Sequence, residues 1–271
     1  MTRASSGSAP SASTRTLWRR VAIPAEHGGW GLTLEPVLLG LLLNPSRAGA
    51  AVGVAAFLAF LVRTPLKLAL VDRRRRRSLP RTALATKLAA VELVAIGGLA
   101  SFALLGAGWG WLVPVVVALP LVAIELWFDV RSRSRRLVPE LCGAVGIAAV
   151  AAAIVLAGDG DPALATAAWM VLAARAVASI PYVRTQIDRM HDRHGSVRAA
   201  DAFSGFALMV ALVAVAVDRD VLLGTVAIAT LVVVQSVALR RDRIAPVKVI
   251  GLRQMAAGVA VVTATWIGAA L

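Results

Sequence analysis

Read for apolar runs, the chain falls into nine stretches, residues 27 to 43, 49 to 71, 83 to 106, 109 to 128, 138 to 157, 163 to 183, 199 to 217, 221 to 239 and 249 to 270, separated by short polar connections. A helix needs about 20 residues to cross a hydrocarbon layer of roughly 30 Å, and most of these runs are of that order. Lipid offers the backbone no hydrogen-bond partners, so a spanning segment is either a helix or part of a closed barrel. Barrel strands alternate polar and apolar positions, whereas Val115 to Ala123 and Ala144 to Leu156 are continuously apolar. The pattern predicts an all-α, polytopic membrane helix bundle of about nine transmembrane helices.

Composition agrees. Apolar residues make up 59% of the 271, with a mean hydropathy of +0.78, more hydrophobic surface than a water-soluble core can hide. Charge adds direction. Of the 29 Lys and Arg, 22 fall in the N-terminal tail and in residues 72 to 81, 129 to 137, 184 to 198 and 240 to 248, which are alternate connections; only Arg47 and Arg219 lie in the others. Cationic loops resist translocation, so this asymmetry predicts a multi-pass cell-membrane protein with a cytoplasmic N-terminus and an external C-terminus. The net charge of +14 then serves lipid headgroups, and nucleic acid is not an expected partner. Residues 1 to 20, rich in Ser, Thr, Ala and Arg, are expected to form a disordered cytoplasmic tail, leaving 21 to 271 as the membrane domain. Cys142 is the single cysteine, which excludes an intrachain disulfide.

Candidate chemistry concentrates at a few polar positions. After the sixth span, Asp188 and Asp192 stand four apart, one helical turn, where a divalent cation can bridge two carboxylates. Mg²⁺ binds a few carboxylates together with phosphate oxygens, and Arg184, Arg189 and Arg193 beside the pair can hold the same phosphates. The competing reading is a solvated loop in which the acids offset neighbouring arginines. Near the N-terminus, Glu26-His27-Gly28-Gly29-Trp30 combines an acceptor, a titratable imidazole, glycines that allow close backbone approach and an interfacial tryptophan. The plainer alternative there is a helix start with a Trp anchor. Within or beside the apolar spans lie Glu35, Glu92, Glu125 and Glu140, each expected to face the bundle interior or a base among Arg63, Lys67, Lys87, Arg175 and Arg253. Together they predict a polar cavity opening to the cytoplasm, and Pro36, Pro65 and Pro181 are candidate helix breaks.

The nine spans and the Asp188 to Asp192 segment resemble the UbiA superfamily of intramembrane prenyltransferases, in which aspartate-rich motifs follow the second and sixth helices. Where that resemblance expects the first motif, this chain reads Arg63-Thr64-Pro65-Leu66-Lys67-Leu68-Ala69-Leu70-Val71-Asp72, with one acid ahead of five adjacent arginines. Pro24-Ala25-Glu26-His27-Gly28-Gly29-Trp30, the Arg63-Thr64-Pro65-Leu66 segment and Lys248 to Gln254 are closer to the YwiC-like family of bacterial membrane proteins. The two resemblances imply a UbiA-like bundle that binds a membrane lipid or isoprenoid diphosphate, with Asp188 and Asp192 holding Mg²⁺ and with Glu26, His27, Arg63, Arg184 and Arg189 around the substrate. Prenyltransferase-like catalysis and a non-enzymatic lipid-binding or transport role both remain open at this stage, as does a place as a subunit of a larger complex.

Overall fold

A computed structural model describes residues 21, 27–77, 79–131, 136–191, 193, 195–241 and 245–271. The expected tail over 1–20 lies outside them, as do Glu26 and Asp192. Nine α-helices fill the described residues, and no strand occurs among them: α1 His27–Leu43, α2 Arg47–Arg74, α3 Pro80–Ala107, α4 Leu112–Val130, α5 Leu137–Ala157, α6 Pro162–Met190, α7 Val197–Val217, α8 Leu222–Leu239 and α9 Val247–Ala270. Helices α2 to α9 are long and apolar enough to cross a membrane; the apolar part of α1, Trp30–Leu43, is shorter.

The short connections carry the signals that start each helix. Ser46 Oγ accepts from the Gly49 N–H at 2.9 Å, Ser196 Oγ from Ala199 at 3.1 Å and Asp161 from Ala163 at 3.1 Å, each satisfying an orphan donor of a first turn. Pro80 and Pro162 open α3 and α6, where a missing N–H costs nothing. Pro36, Pro65 and Pro181, read as candidate breaks, instead lie inside continuous helices. Packed neighbours tolerate a proline in a membrane helix because they stabilise the turn around it.

Helices α5 and α6 form the centre: 56% and 61% of their apolar windows are buried, against 11% for α3. Around α5, one core joins Ala51 and Val52 of α2, Ala103 of α3 and Ala153 and Ile154 of α5. A second surrounds α6, joining Ala174 and Ala178 to Ala207 and Ala211 of α7, Ile228 of α8 and Val261 of α9. Packing repeats between these halves. Helix α2 packs on α3 and α5, and α4 on α5; likewise α6 packs on α7 and α9, and α8 on α9. Helix α1 lies against both central helices and α9, with Leu39 fully buried among Ala148, Ala151, Ala168, Leu172 and Val262.

The described parts of the arginine-bearing connections gather at one end of this bundle. Arg74 Nη1 donates to the Val130 carbonyl at 3.1 Å, Arg184 pairs with Glu140 at 2.8 Å, and Arg189 Nη1 donates to the Leu239 carbonyl at 2.6 Å. At the opposite end, Asn44 Nδ2 donates to the carbonyls of Val155 and Gly158 at 3.1 and 2.8 Å. The charge asymmetry of the sequence is thus a polarity of the folded molecule.

Candidate functional site

Among the described residues, two groups of charged side chains stand inside the apolar bundle. Near the middle, Glu35 of α1 and Arg175 of α6 form an ion pair at 2.8 Å, 6% and 4% exposed. Arg175 Nη2 also donates to the Gln254 carbonyl of α9 at 2.8 Å. Gly258, one turn further along α9, leaves the room they occupy: a Cβ there would collide with Glu35 Oε1 and lie 2.8 Å from Arg175 Nη2. Arg175 Nε and Gln254 Oε1 are buried with no hydrogen-bond partner among the described residues. Buried ions need pairing, and here three helices supply it.

Towards the arginine-rich end lies a larger set. Arg63 of α2 bridges Glu125 and Asp129 of α4, both at 2.8 Å, and Lys67 Nζ adds a contact to Asp129 at 3.3 Å. Asp129 is fully buried, so its charge is held entirely by these two bases. The spacing of the sequence explains both partners: Glu125 and Asp129 on α4, and Arg63 and Lys67 on α2, are each four apart and share a helical face. Gly143 of α5 admits the Glu125 carboxylate against its backbone, where any Cβ would collide. From α5 itself, Glu140 pairs with Arg184 of α6, both 36% exposed.

The residues singled out from sequence separate accordingly. Arg63 is engaged by acids, Arg184 by Glu140 and Arg189 by a helix-end carbonyl. Helices α2 and α6 do not touch, and the acids that hold Arg63 and Arg184 come from different helices, α4 and α5. Asp188 sits half-buried one turn beyond Arg184 on α6; Asp192, its expected partner, and Glu26 fall outside the described residues. Among the described residues, no group of three or more His, Cys, Asp or Glu is placed to hold a metal. His27 opens α1, and Trp30 packs inward on Phe57 and Phe60 of α2 with ring centroids 5.8 and 5.3 Å away. Asp72, the lone acid after the second span, accepts from Thr82 Oγ1 at 2.7 Å and from Arg81 at 3.2 and 3.3 Å, which ties α2 to α3.

Uncharged polar residues escaped the sequence reading, which followed charges. Gln235 of α8 donates to Ser179 of α6 at 3.3 Å, both buried, whereas Gln254 meets the central pair through its backbone carbonyl. Amides interrupting apolar helices were the available signal. Glu92 Oε2 on α3 is buried without a partner among the described residues.

No curated protein matches this chain, and no solved structure does. Residues 23–155, just under half of the chain and nearly all of α1 to α5, are similar to the family model described as YwiC-like protein, and with eight helices long and apolar enough to cross a bilayer the chain is an integral membrane protein.

Proposed function

We propose that the chain binds the phosphate or diphosphate head of an isoprenoid or related lipid at its arginine-rich end, with the apolar tail among the helices. One observation carries this reading. Two ion-paired sets, Arg63 and Lys67 with Glu125 and Asp129, and Arg184 with Glu140, stand at that end of an otherwise apolar bundle. Arg184 is the base among these best suited to an incoming phosphate, because its pair with Glu140 is partly exposed and exchangeable, while Asp129 holds Arg63 and Lys67 in place. Arg189 extends the basic surface along α6, and His27, the first residue of α1, with its sequence neighbour Glu26 completes the proposed substrate set. Asp188 offers a carboxylate one turn from Arg184, and with Asp192 it fits the few-carboxylate, phosphate-completed shell that Mg²⁺ prefers. Bound there, Mg²⁺ would neutralise diphosphate charge, the help a prenyltransferase gives its leaving group. In this reading the arginine-rich end faces the cytoplasm.

The test is binding of farnesyl diphosphate to the full chain in nanodiscs, with and without Mg²⁺. Losing a charge-assisted contact costs about tenfold or more in affinity, so Asp188→Ala with Asp192→Ala, and Arg184→Gln separately, should each weaken Mg²⁺-dependent binding by at least that factor. Unchanged binding in both variants overturns the proposal.

The central Glu35–Arg175 pair favours a second reading, lipid binding or transport without catalysis, because intramembrane charge at mid-bundle commonly marks a translocation path. Binding of the corresponding prenyl alcohol, independent of Mg²⁺ and sensitive to Glu35→Gln, would select it.

A further inference from the structure

A groove of about 400 Å³ runs along the outer face of α4 at the arginine-rich end, lined by Arg74, Ala123, Leu126, Trp127, Val130 and Arg131. At 100° per residue, Ala123, Leu126, Trp127 and Val130 centre roughly 130° around α4 from Glu125 and Asp129. The groove is therefore distinct from the polar cluster, and no acid is among the described residues that line it.

Its two ends differ in chemistry. One is cationic: Arg74, from the last turn of α2, is held across the groove by its 3.1 Å bond to the Val130 carbonyl, and the Arg131 guanidinium lies 3.4 Å from the centre of the Trp127 ring. Both arginines are exposed. The other end is apolar, formed by Ala123 and Leu126 one turn deeper along a membrane-spanning helix. Trp127, 59% exposed, stands between them, where the ring of an interfacial tryptophan belongs.

We infer that this groove is a binding site for an anionic phospholipid, the headgroup phosphate held by Arg74 and Arg131 and the start of an acyl chain lying along Leu126 and Ala123. Charge complementarity selects this occupant over a zwitterionic lipid or an apolar partner helix, because two arginines face the groove with no acid to offset them. Size agrees. A volume of about 400 Å³ is at the small end of ligand pockets, enough for a headgroup and part of a chain whose remainder stays in the bilayer. Stacking on Trp127 holds the Arg131 fork flat and pre-aimed, which suits bidentate contact with phosphate oxygens.

The experiment uses the full chain in phosphatidylcholine nanodiscs titrated with phosphatidylglycerol brominated on its acyl chains. The fluorescence component lost in Trp127→Phe is assigned to Trp127, and its quenching reports the site. Each arginine near the surface is worth roughly a fivefold factor, so Arg74→Gln with Arg131→Gln should raise the half-quenching fraction about twenty-five-fold. The paired lysine variant, which keeps charge but loses the fork, should stay within about fivefold of the wild type. The inference is overturned if the glutamine pair titrates like the wild type while folded by circular dichroism, if brominated phosphatidylcholine quenches equally, or if inorganic phosphate displaces the lipid. None of these outcomes depends on farnesyl diphosphate or Mg²⁺, so this site and the one proposed above stand or fall separately.

Discussion

Removing one member of the central ion pair should cost far more than removing both. Glu35 and Arg175 are each about 5% exposed, and a buried pair deprived of one partner typically loses about 3–5 kcal/mol, because a desolvated charge is left uncompensated. Glu35→Gln belongs at or just below the low end, about 2–3 kcal/mol, since the amide oxygen can still accept from Arg175 and the Gln254 carbonyl keeps its 2.8 Å contact. Arg175→Met belongs in the middle of the range: it abandons the Glu35 carboxylate and also strips the donor from Gln254. The double variant leaves no unpaired ion and should lie within about 2 kcal/mol of the wild type, as replacement of whole buried pairs by neutral groups is often close to neutral. The two single costs sum to about 6–7 kcal/mol, so the coupling energy of the cycle is about 4–7 kcal/mol. Equilibrium unfolding in mixed micelles, with the same denaturant slope for all four proteins, measures it. Single variants that each cost under about 1 kcal/mol and sum to the double would refute the claim that these charges are held by one another.

Three further outcomes follow from the same geometry. Gly258→Ala should destabilise by about 1–3 kcal/mol through overpacking against Glu35 and Arg175, while Gly251→Ala on the same helix, with nothing within 4 Å of its added Cβ, should change thermal stability little. Asp129→Asn, which leaves Arg63 and Lys67 without the buried carboxylate they share, should cost about 2–4 kcal/mol, whereas Arg184→Gln, at a pair that is 36% exposed, should cost about 1 kcal/mol or less in the same unfolding assay. In a Cys142→Ser background, a membrane-impermeant maleimide applied to intact cells should label Asp159→Cys and spare Arg193→Cys; the reverse pattern would invert the orientation read from charge.

Lipid makes the architecture of such a chain legible. Every apolar run between 27 and 270 became a helix, because a segment in hydrocarbon has no other way to satisfy its backbone. The ends were less visible. Helix α2 runs on through Arg73 and Arg74, and α6 through Arg184 to Met190, since hydropathy falls where a helix leaves the bilayer although its hydrogen-bond ladder continues. For the site, residue type sufficed to show that Glu35 and Glu125 needed bases, and Arg175, Arg63 and Lys67 were among the candidates. The matching of Glu35 with a base 140 positions away depends on α1 lying against α6 and α9, a tertiary fact with no local signature. Arg63, expected at a phosphate, is clasped by two acids because α4 presents Glu125 and Asp129 to α2. Asp72, the lone acid where the prenyltransferase resemblance would place its first motif, fastens a hairpin.

The alanine-lined meeting of α5 and α6 has a mechanical consequence. Ala148, Ala151, Ala152, Ala165 and Ala168 are nearly flush with their helix cylinders, and Trp169, reaching over to the Val145 carbonyl, is the main projection described across that boundary. A surface built from methyl groups offers little to interlock and little to compress. Displacement of one quartet of helices relative to the other would therefore proceed as a glide along this plane, each quartet keeping its own interior, with the Arg184–Glu140 pair and the Trp169 indole as latches between α6 and α5 that must release first, while the Glu35–Arg175 pair ties α1 to α6.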